Sequence, residues 1–240
     1  MAARTLIALG LICLGTGAST IADDGGTKVG FIHKHLTDAK GEKVPYVVFI
    51  PHKYDGKKHY PVILFLHGVG EKKEIPWGLG TYVKSHENSF DFISVFPHAE
   101  GKNTWDPAST NGKHALQALD EVMKAYKTDD KRVYLTGFSM GGFGCWDMGA
   151  KTAERWAAIV PVSGGGKVEW VEKLKDTPVW AFHGDADHSM PVAKTRELIA
   201  ALKKIGGHPK YTEYPGVGHT PEKAYHEKDL YHWLKEQKKQ

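Results

Sequence analysis

The sequence contains little cysteine and no hydrophobic run long enough to span a membrane. The two cysteines are Cys13 and Cys145. Cys13 lies in the apolar run Leu6–Leu14, which follows Arg4 and precedes small residues, so we interpret residues 1–22 as a secretory signal peptide. Such a run is too short to span a membrane, so no stable membrane anchor is expected. We expect a secreted or periplasmic protein that keeps only Cys145 and has no internal disulfide bond.

Neither basic nor acidic residues are concentrated in one part of the sequence. The chain has 32 basic and 28 acidic residues, which gives a net charge of +4 over 240 residues, and no basic block is longer than a few residues. This even distribution argues against nucleic acid as a partner. The aromatic content of 11% argues against a disordered chain. The composition is that of an ordinary globular enzyme.

Motifs for metals and phosphates are missing as well. The chain has no His-Glu-x-x-His, and His226 and His232 are six residues apart, so they cannot share a helix face as ligands. The run Gly164–Gly166 is not followed by Lys-Ser or Lys-Thr, as a phosphate loop would require. The run Asp185–His188 offers possible cation ligands, but its place after a predicted strand fits a catalytic acid better. We therefore expect no metal and no cofactor.

Predicted strands alternate with predicted helices after the first two strands, which form a hairpin. This pattern indicates an α/β domain over residues 27–240, with a mostly parallel sheet covered by helices on both faces. The predicted strands are 29–36, 43–50, 60–66, 91–96, 132–136, 157–162, 178–182 and 210–214. The predicted helices cover 115–126 and 143–151, a segment that starts at Pro191, and 220–235.

One motif stands at the centre of this alternation. Gly137-Phe138-Ser139-Met140-Gly141 lies between the strand 132–136 and the helix 143–151. A Gly-x-Ser-x-Gly in that context is typical of a nucleophile elbow, in which a tight turn presents the serine hydroxyl at the end of a strand. The glycines are needed because a Cβ atom would collide with neighbouring backbone. The bare pattern is weak, since a glycine-rich turn at a strand end is the alternative.

Other strand ends supply partners for this serine. The strand that ends near Phe182 is followed by Asp185 and Asp187, and the last strand is followed by His219. The carboxyl ends of parallel strands gather at one edge of a sheet, so these groups are expected to meet Ser139 there. Nucleophile, acid and base follow in the order Ser, Asp, His, which is the order of the α/β-hydrolases.

Together, these motifs resemble those of a known protein family. From about residue 44 to the C-terminus, the chain resembles the phospholipase/carboxylesterase branch of the α/β-hydrolases and is similar to polyhydroxybutyrate-depolymerase-like and dienelactone-hydrolase-like esterases. The motifs that carry it are Leu66-His67-Gly68, Gly137-Phe-Ser-Met-Gly-Gly142, His183-Gly-x-x-Asp187-x-x-x-Pro191 and Gly218-His219. Dienelactone hydrolase itself has cysteine where this chain has Ser139, so that particular activity is not implied.

The resemblance implies the α/β-hydrolase fold and an esterase with a catalytic triad of Ser139, Asp187 and His219. His219 would take the proton of the Ser139 hydroxyl, and the alkoxide would attack an acyl carbonyl. Asp187 would orient His219 and stabilise its charged form. Asp185 remains the competitor for this role, and the spacing before the helix that starts at Pro191 favours Asp187.

Backbone donors complete the predicted site. The N–H groups of Val69 and Met140 are expected to hold the oxyanion. His67 and His183, which each precede a glycine, are interpreted as hydrogen-bonded structural groups.

The segment before the strand 178–182 is too short for a cap domain. Residues 163–177 have room for one short helix, which would carry Trp170. The acyl pocket is therefore expected to be shallow and open, which favours short acyl groups and tolerates bulky alcohols, such as those of sugars or polymers. Trp105 is the candidate wall residue and Trp77 a second one, and for either the alternative is a core anchor.

The predicted function is thus that of a secreted serine esterase that acts on small-molecule or polysaccharide-linked esters through an acyl-enzyme on Ser139. Two alternatives stay open. One is a serine peptidase of the prolyl-oligopeptidase type, which shares the fold, the elbow and the order of the triad. The other is a catalytically silent binding protein with a hydrolase fold. The sequence predicts no oligomeric state.

Overall fold

A computed structural model describes residues 28–71, 75–100 and 104–239 of the chain. The predicted signal peptide, residues 1–22, lies outside the described residues. The described part forms an eight-stranded sheet with helices on both faces. The predicted fold class is therefore confirmed.

The sheet is parallel except at one edge. Its strand order is β1-β2-β4-β3-β5-β6-β7-β8, and only β2 runs against its neighbours. The central strands are buried along their length because helices cover both faces, which explains their continuous apolar runs. The strands are β1 (Gly30–Thr37), β2 (Lys43–Ile50), β3 (Tyr60–Leu66), β4 (Ile93–Pro97), β5 (Thr128–Phe138), β6 (Ala158–Val162), β7 (Trp180–Gly184) and β8 (Lys210–Tyr214).

The helices divide the hydrophobic core into two layers. One layer lies between the sheet and α2, α3 and α4, and the other lies between the sheet and α1, α5 and α6. The helices are α1 (Leu79–Ser85), α2 (Thr110–Ala125), α3 (Met140–Lys151), α4 (Ala193–Lys204), α5 (Glu222–Tyr225) and α6 (Leu230–Glu236), with 3₁₀ turns at Ala153–Arg155 and Val168–Leu174. No helix in the described ranges has the length and apolarity needed to cross a membrane.

Two helical predictions differ from the structure. The short helix α1 was not predicted, because it lies in a glycine-rich segment and begins after Gly78, which has a φ of 96°. The predicted helix 220–235 is split into α5 and α6. The polar residues 226–229 between them form a turn, because they have few apolar side chains to hold a continuous helix against the sheet.

The connection between β6 and β7 is as short as predicted. It holds one 3₁₀ helix, Val168–Leu174, and Trp170 lies on that helix against Phe143. All residues of this connection are described, and they form no cap domain. The edge of the sheet where β3, β5, β7 and β8 end is therefore left uncovered from this side.

Candidate active site

The turn after β5 holds Ser139 in a strained conformation. Ser139 has a φ of 59° and a ψ of −116°, values that side-chain-bearing residues rarely adopt. A Cβ atom at Gly137 would overlap the carbonyl oxygen of Gly141, and one at Gly141 would overlap that of Leu66. The turn is further fixed by the Ser139 N–H, which donates to the carbonyl of Val162 at 3.0 Å. These contacts explain why the motif requires glycine at both positions.

The structure brings Ser139, His219 and Asp187 into one hydrogen-bonded row. His219 Nε2 lies 2.9 Å from Ser139 Oγ, and His219 Nδ1 lies 2.7 Å from Asp187 Oδ2. The Asp187 carboxylate can only accept, so Nδ1–H donates to it and Nε2 is left to accept the Ser139 hydroxyl proton. The ring of Phe138 lies 4.7 Å from the His219 ring, centroid to centroid, and supports it from the side.

Asp187 is buried and receives several donors. Its Oδ1 accepts from the backbone N–H groups of Ser189 at 2.9 Å and Met190 at 2.8 Å. Burial by itself raises the pKa of Asp187, but the hydrogen bonds from His219 and from the backbone outweigh it and lower the pKa below its usual value. The carboxylate is therefore held in its charged form beside His219.

Asp185, the competitor for this position, points elsewhere. Its Oδ1 accepts from the backbone N–H of Gly216 at 2.6 Å, which ties the loop after β7 to the loop after β8. Gly184 lies against this second loop, since a Cβ there would overlap the carbonyl of Val217. The geometry thus gives Asp185 a role in holding the two loops together and leaves the contact with His219 to Asp187.

The loop after β3 is fixed by His67, which is buried. Its Nε2 accepts from the backbone N–H of Ala99 at 3.1 Å, so the ring proton is on Nδ1, which donates to the carbonyl of Gly68 at 2.7 Å. In a trans peptide the carbonyl and the following N–H point in opposite directions, so this bond also sets the direction of the Val69 N–H. Gly68 lies against Ser139, since a Cβ atom added at Gly68 would stand only 3.5 Å from the Ser139 Cβ.

The first turn of α3 supplies the second predicted donor. Ser139 caps this helix and Met140 is its first residue, so the Met140 N–H has no acceptor within the helix. Helix N-termini favour negative charge because their N–H groups point outward along the axis. The Val69 N–H belongs to the loop after β3 and the Met140 N–H to the first turn of α3, and these two segments meet at Ser139.

Trp105 does not lie at the mouth of the site. It is fully buried, and its Nε1 donates to the carbonyl of His67 at 3.0 Å. Its side chain packs against Gly144 of α3, where a Cβ would overlap it. A substrate cannot contact this ring, so the interpretation of Trp105 as a wall residue is replaced by the alternative of a core anchor, which supports the loop after β3.

Two further residues bear on the site. Trp77 is half-buried and packs on Phe138, with 5.5 Å between ring centroids. His183 is buried and lies 3.3 Å from Asp187 Oδ2 through its Nε2. The sequence predicted a hydrogen-bonded His183 but not its contact with Asp187. The signal that the sequence offered was the His-Gly pair, which occurs at the carboxyl ends of both β3 and β7.

An open groove begins beside the loop after β3. The imidazole rings of His33, His35 and His98 line it, together with Glu71 and Pro45. His33 and His35 are exposed on β1, which runs parallel to β4, so they lie toward the same edge of the sheet as the site. His67 lines the groove too, which connects it to the loop that contacts Ser139. Within the described ranges, no three side chains are arranged to hold a metal ion.

Comparison with known proteins finds related sequences. The profile of the dienelactone hydrolase family matches residues 22–233. The chain is 32% identical over 129 residues to the bifunctional acetylxylan esterase/xylanase XynS20E of Neocallimastix patriciarum, a match that covers 53% of this chain and 19% of that protein. It is 34% identical over 210 residues to acyl-protein thioesterase 1 of Neurospora crassa, which covers 68% of this chain and 81% of the relative.

The fold has solved counterparts. The structure of a thermostable esterase superposes with a TM-score of 0.78 at 28% identity and covers 87% of this chain and 63% of the other. The chain therefore spans about a fifth of the esterase/xylanase and less than two thirds of this esterase.

Proposed function

The chain belongs to the dienelactone hydrolase family, and we propose that it is a serine esterase that forms an acyl-enzyme on Ser139. The observation that carries this proposal is the row of hydrogen bonds from Ser139 through His219 to Asp187, at 2.9 and 2.7 Å. Such a row activates a hydroxyl that is otherwise a weak nucleophile. The names of the related esterases and of the acyl-protein thioesterase support the same class of reaction.

In the proposed mechanism, His219 Nε2 takes the Ser139 proton as Oγ attacks the ester carbonyl. Asp187 stabilises the imidazolium that forms and keeps Nδ1 protonated throughout. His219 then gives its proton to the leaving alcohol, which departs and leaves the acyl group on Ser139. Water, deprotonated by His219, attacks the acyl-enzyme in the second half of the reaction and releases the acid.

The oxyanion is proposed to accept hydrogen bonds from the backbone N–H groups of Val69 and Met140. The fixed tautomer of His67 supports this assignment, because it holds the Gly68–Val69 peptide in one orientation before substrate arrives. A donor that is already in place stabilises developing charge without reorganisation.

The substrate is proposed to be an ester of a short acid and a bulky alcohol, including small molecules and esters attached to polysaccharides. The site has no cap on the β6–β7 side, so a long acyl chain would stay in water and lose most of the roughly 0.8 kcal/mol that each buried methylene contributes. The groove lined by His33, His35 and His98 is continuous with the loop after β3 and offers hydrogen-bonding groups for the alcohol part. With residues 1–22 as a signal peptide, the enzyme would act outside the cytoplasm.

The decisive experiment is covalent labelling. A fluorophosphonate should label Ser139 stoichiometrically, with one label per protein molecule. Ser139→Ala should abolish both labelling and hydrolysis of p-nitrophenyl acetate. Ser163→Ala is a matched control, because Ser163 is the other described serine with a positive φ, 46°, and it is buried. Full esterase activity in Ser139→Ala would exclude the proposal.

Substrate panels separate the alternatives. Hydrolysis of aminoacyl amides in preference to simple esters would favour the peptidase, and an absence of labelling together with an absence of turnover would favour the silent binding protein. Among p-nitrophenyl esters, kcat/KM is expected to be highest for acetate or butyrate. A steady rise up to the twelve-carbon ester would show that the acyl pocket is deep and covered.

A further inference from the structure

His183 is a buried histidine that the proposed mechanism does not use. Its Nε2 lies 2.8 Å from the carbonyl oxygen of Met190 and 3.3 Å from Asp187 Oδ2. Its Nδ1 lies 2.7 Å from Thr195 Oγ1, which in turn lies 2.6 Å from the carbonyl oxygen of Gly164. The ring thus links the loop after β7 to α4 and to the loop after β6.

The partners of this ring determine where its proton is. Nε2 faces two groups that can only accept, the Met190 carbonyl and the Asp187 carboxylate. Nδ1 faces the Thr195 hydroxyl, which can donate or accept. A neutral ring must therefore carry its proton on Nε2. The single proton of the Thr195 hydroxyl then faces two acceptors, the Gly164 carbonyl at 2.6 Å and His183 Nδ1 at 2.7 Å. Burial lowers the pKa of His183, which favours this neutral form.

Two histidines therefore lie against one oxygen of Asp187: His219 hydrogen-bonds to it, and His183 Nε2 is in close contact with it. Oδ2 lies 2.7 Å from His219 Nδ1 and 3.3 Å from His183 Nε2, while the N–H groups of Ser189 and Met190 hold Oδ1. The Nε2–H of His183 donates to the Met190 carbonyl, which belongs to the turn that carries Asp187. One ring therefore holds this turn and also lies 3.3 Å from the carboxylate.

We propose that His183, in its neutral Nε2–H form, is a positioning residue that holds the Asp187 carboxylate in line with His219. It does not touch the substrate, and it acts through Asp187 alone. The proposal rests on the proposed function, because it assigns to Asp187 the role of the triad acid. Without this ring, the turn that carries Asp187 loses its hydrogen bond at Met190 and the carboxylate can shift relative to His219. Small displacements of catalytic groups can cost about 10²-fold in rate.

Two variants that both occupy the cavity separate positioning from packing. His183→Phe keeps a flat ring in the cavity but removes the N–H, whereas the amide nitrogen of His183→Gln can reach the place of Nε2 and donate. We expect kcat to fall at least tenfold in His183→Phe with KM nearly unchanged, and to return to within about threefold of the wild-type value in His183→Gln. Equal kcat values in the two variants would overturn the proposal.

Thr195→Val is the matched control for a disturbed buried network. It removes the hydroxyl between His183 and Gly164 but leaves Nε2 facing the same acceptors. We expect it to lower the melting temperature and to keep kcat. A loss of kcat in Thr195→Val as large as in His183→Phe would assign His183 a purely structural role.

The tautomer can be measured in the intact wild-type protein. In a ¹⁵N-histidine-labelled sample near neutral pH, the signal of His183 should show a protonated Nε2 and an unprotonated Nδ1. An Nδ1–H tautomer would overturn the proposal, because Nε2 could not then donate to the Met190 carbonyl and hold the turn that carries Asp187. This measurement does not depend on turnover, whereas a failure of the proposed function would appear as wild-type protein without Ser139 labelling.

Discussion

The carboxyl ends of β3 and β7 flank Ser139, and each carries a histidine followed by a glycine: His67-Gly68 directly after β3 and His183-Gly184 as the last residues of β7. Both rings are buried, but their partners differ. The His67 ring hydrogen-bonds only to backbone groups, the N–H of Ala99 and the carbonyl of Gly68. His183 contacts a carboxylate, a hydroxyl and one carbonyl. The same dipeptide therefore fixes a peptide plane on one side of the serine and a charged side chain on the other.

This difference indicates how each loop should respond to substitution. The loop after β3 offers a backbone N–H, so its side chains matter only through the shape of the backbone. The loop after β7 offers a carboxylate, so the chemistry of one side chain matters directly. Substitutions that change chemistry but not shape should be severe in the second loop and mild in the first.

The largest effect is expected for Asp187→Asn. The amide can present an N–H to His219 in place of an acceptor, which favours the wrong tautomer of the imidazole, and kcat should fall by about 10⁴-fold. Asp185→Asn is the matched control two residues away, because Asp185 accepts from the Gly216 N–H and does not contact His219. Steady-state kinetics with p-nitrophenyl acetate measure both. A larger loss in Asp185→Asn would move the acid to that residue.

The second-largest effect is expected for a substitution in the loop after β3. Val69→Pro removes the proposed backbone donor, and kcat should fall by about 10²–10³-fold, the usual cost of losing one oxyanion donor. Val69→Ala keeps the N–H and removes only an exposed side chain, so most of the activity should remain. Circular dichroism and thermal melts would show that both variants fold. Similar kcat values for the two variants would show that the Val69 N–H does not hold the oxyanion.

Much of the fold and of the candidate site could be predicted from the sequence alone. The sheet strands and the positions of Ser139, Asp187 and His219 at strand ends followed from hydrophobic runs and short motifs, because the order of parallel strands forces those ends together. The burial of Trp105 could not be predicted, because a tryptophan on a long loop has the same local sequence pattern whether it faces solvent or the core. Its contact with Gly144 of α3 depends on tertiary packing.

The contact between His183 and Asp187 could not be predicted in the same way. The contact requires the turn before α4 to place the Met190 carbonyl beside the ring, and α4 to place Thr195 on its other side. No local sequence motif predicts that arrangement. The sequence showed only that a histidine precedes a glycine at two strand ends. Partners from other elements decide what each histidine does.

A third prediction concerns stability in mild acid. Burial lowers the pKa of both His67 and His183 in the folded protein. Below the unfolded value of about 6.5, the unfolded chain therefore binds more protons than the folded one, and stability must fall as the pH decreases. Urea unfolding between about pH 7.5 and 5.5 should show this loss, and His67→Gln or His183→Gln should each make it smaller. The same unfolding free energy at both pH values would contradict the prediction.

The smallest effect is expected for Trp105→Phe. The change removes the N–H that donates to the buried His67 carbonyl, and an unpaired buried acceptor costs about 1–3 kcal/mol. For a domain of this size that corresponds to a decrease of very roughly 2–12 °C in melting temperature. Because the His67 ring keeps its own bonds to Ala99 and Gly68, kcat should fall only a few-fold.

Trp156→Phe is the matched control for that change, since the Trp156 Nε1 donates to Thr152 Oγ1 at 2.9 Å and both residues lie at the far end of α3. It should lower the melting temperature to a similar extent and leave kcat as it is, because the loop after β3 is not touched. If Trp105→Phe lowers only the melting temperature as well, the Trp105 hydrogen bond does not help to shape the loop that holds Val69. The loop would then depend on His67 alone, which would sharpen the contrast with the three donors that hydrogen-bond to Asp187.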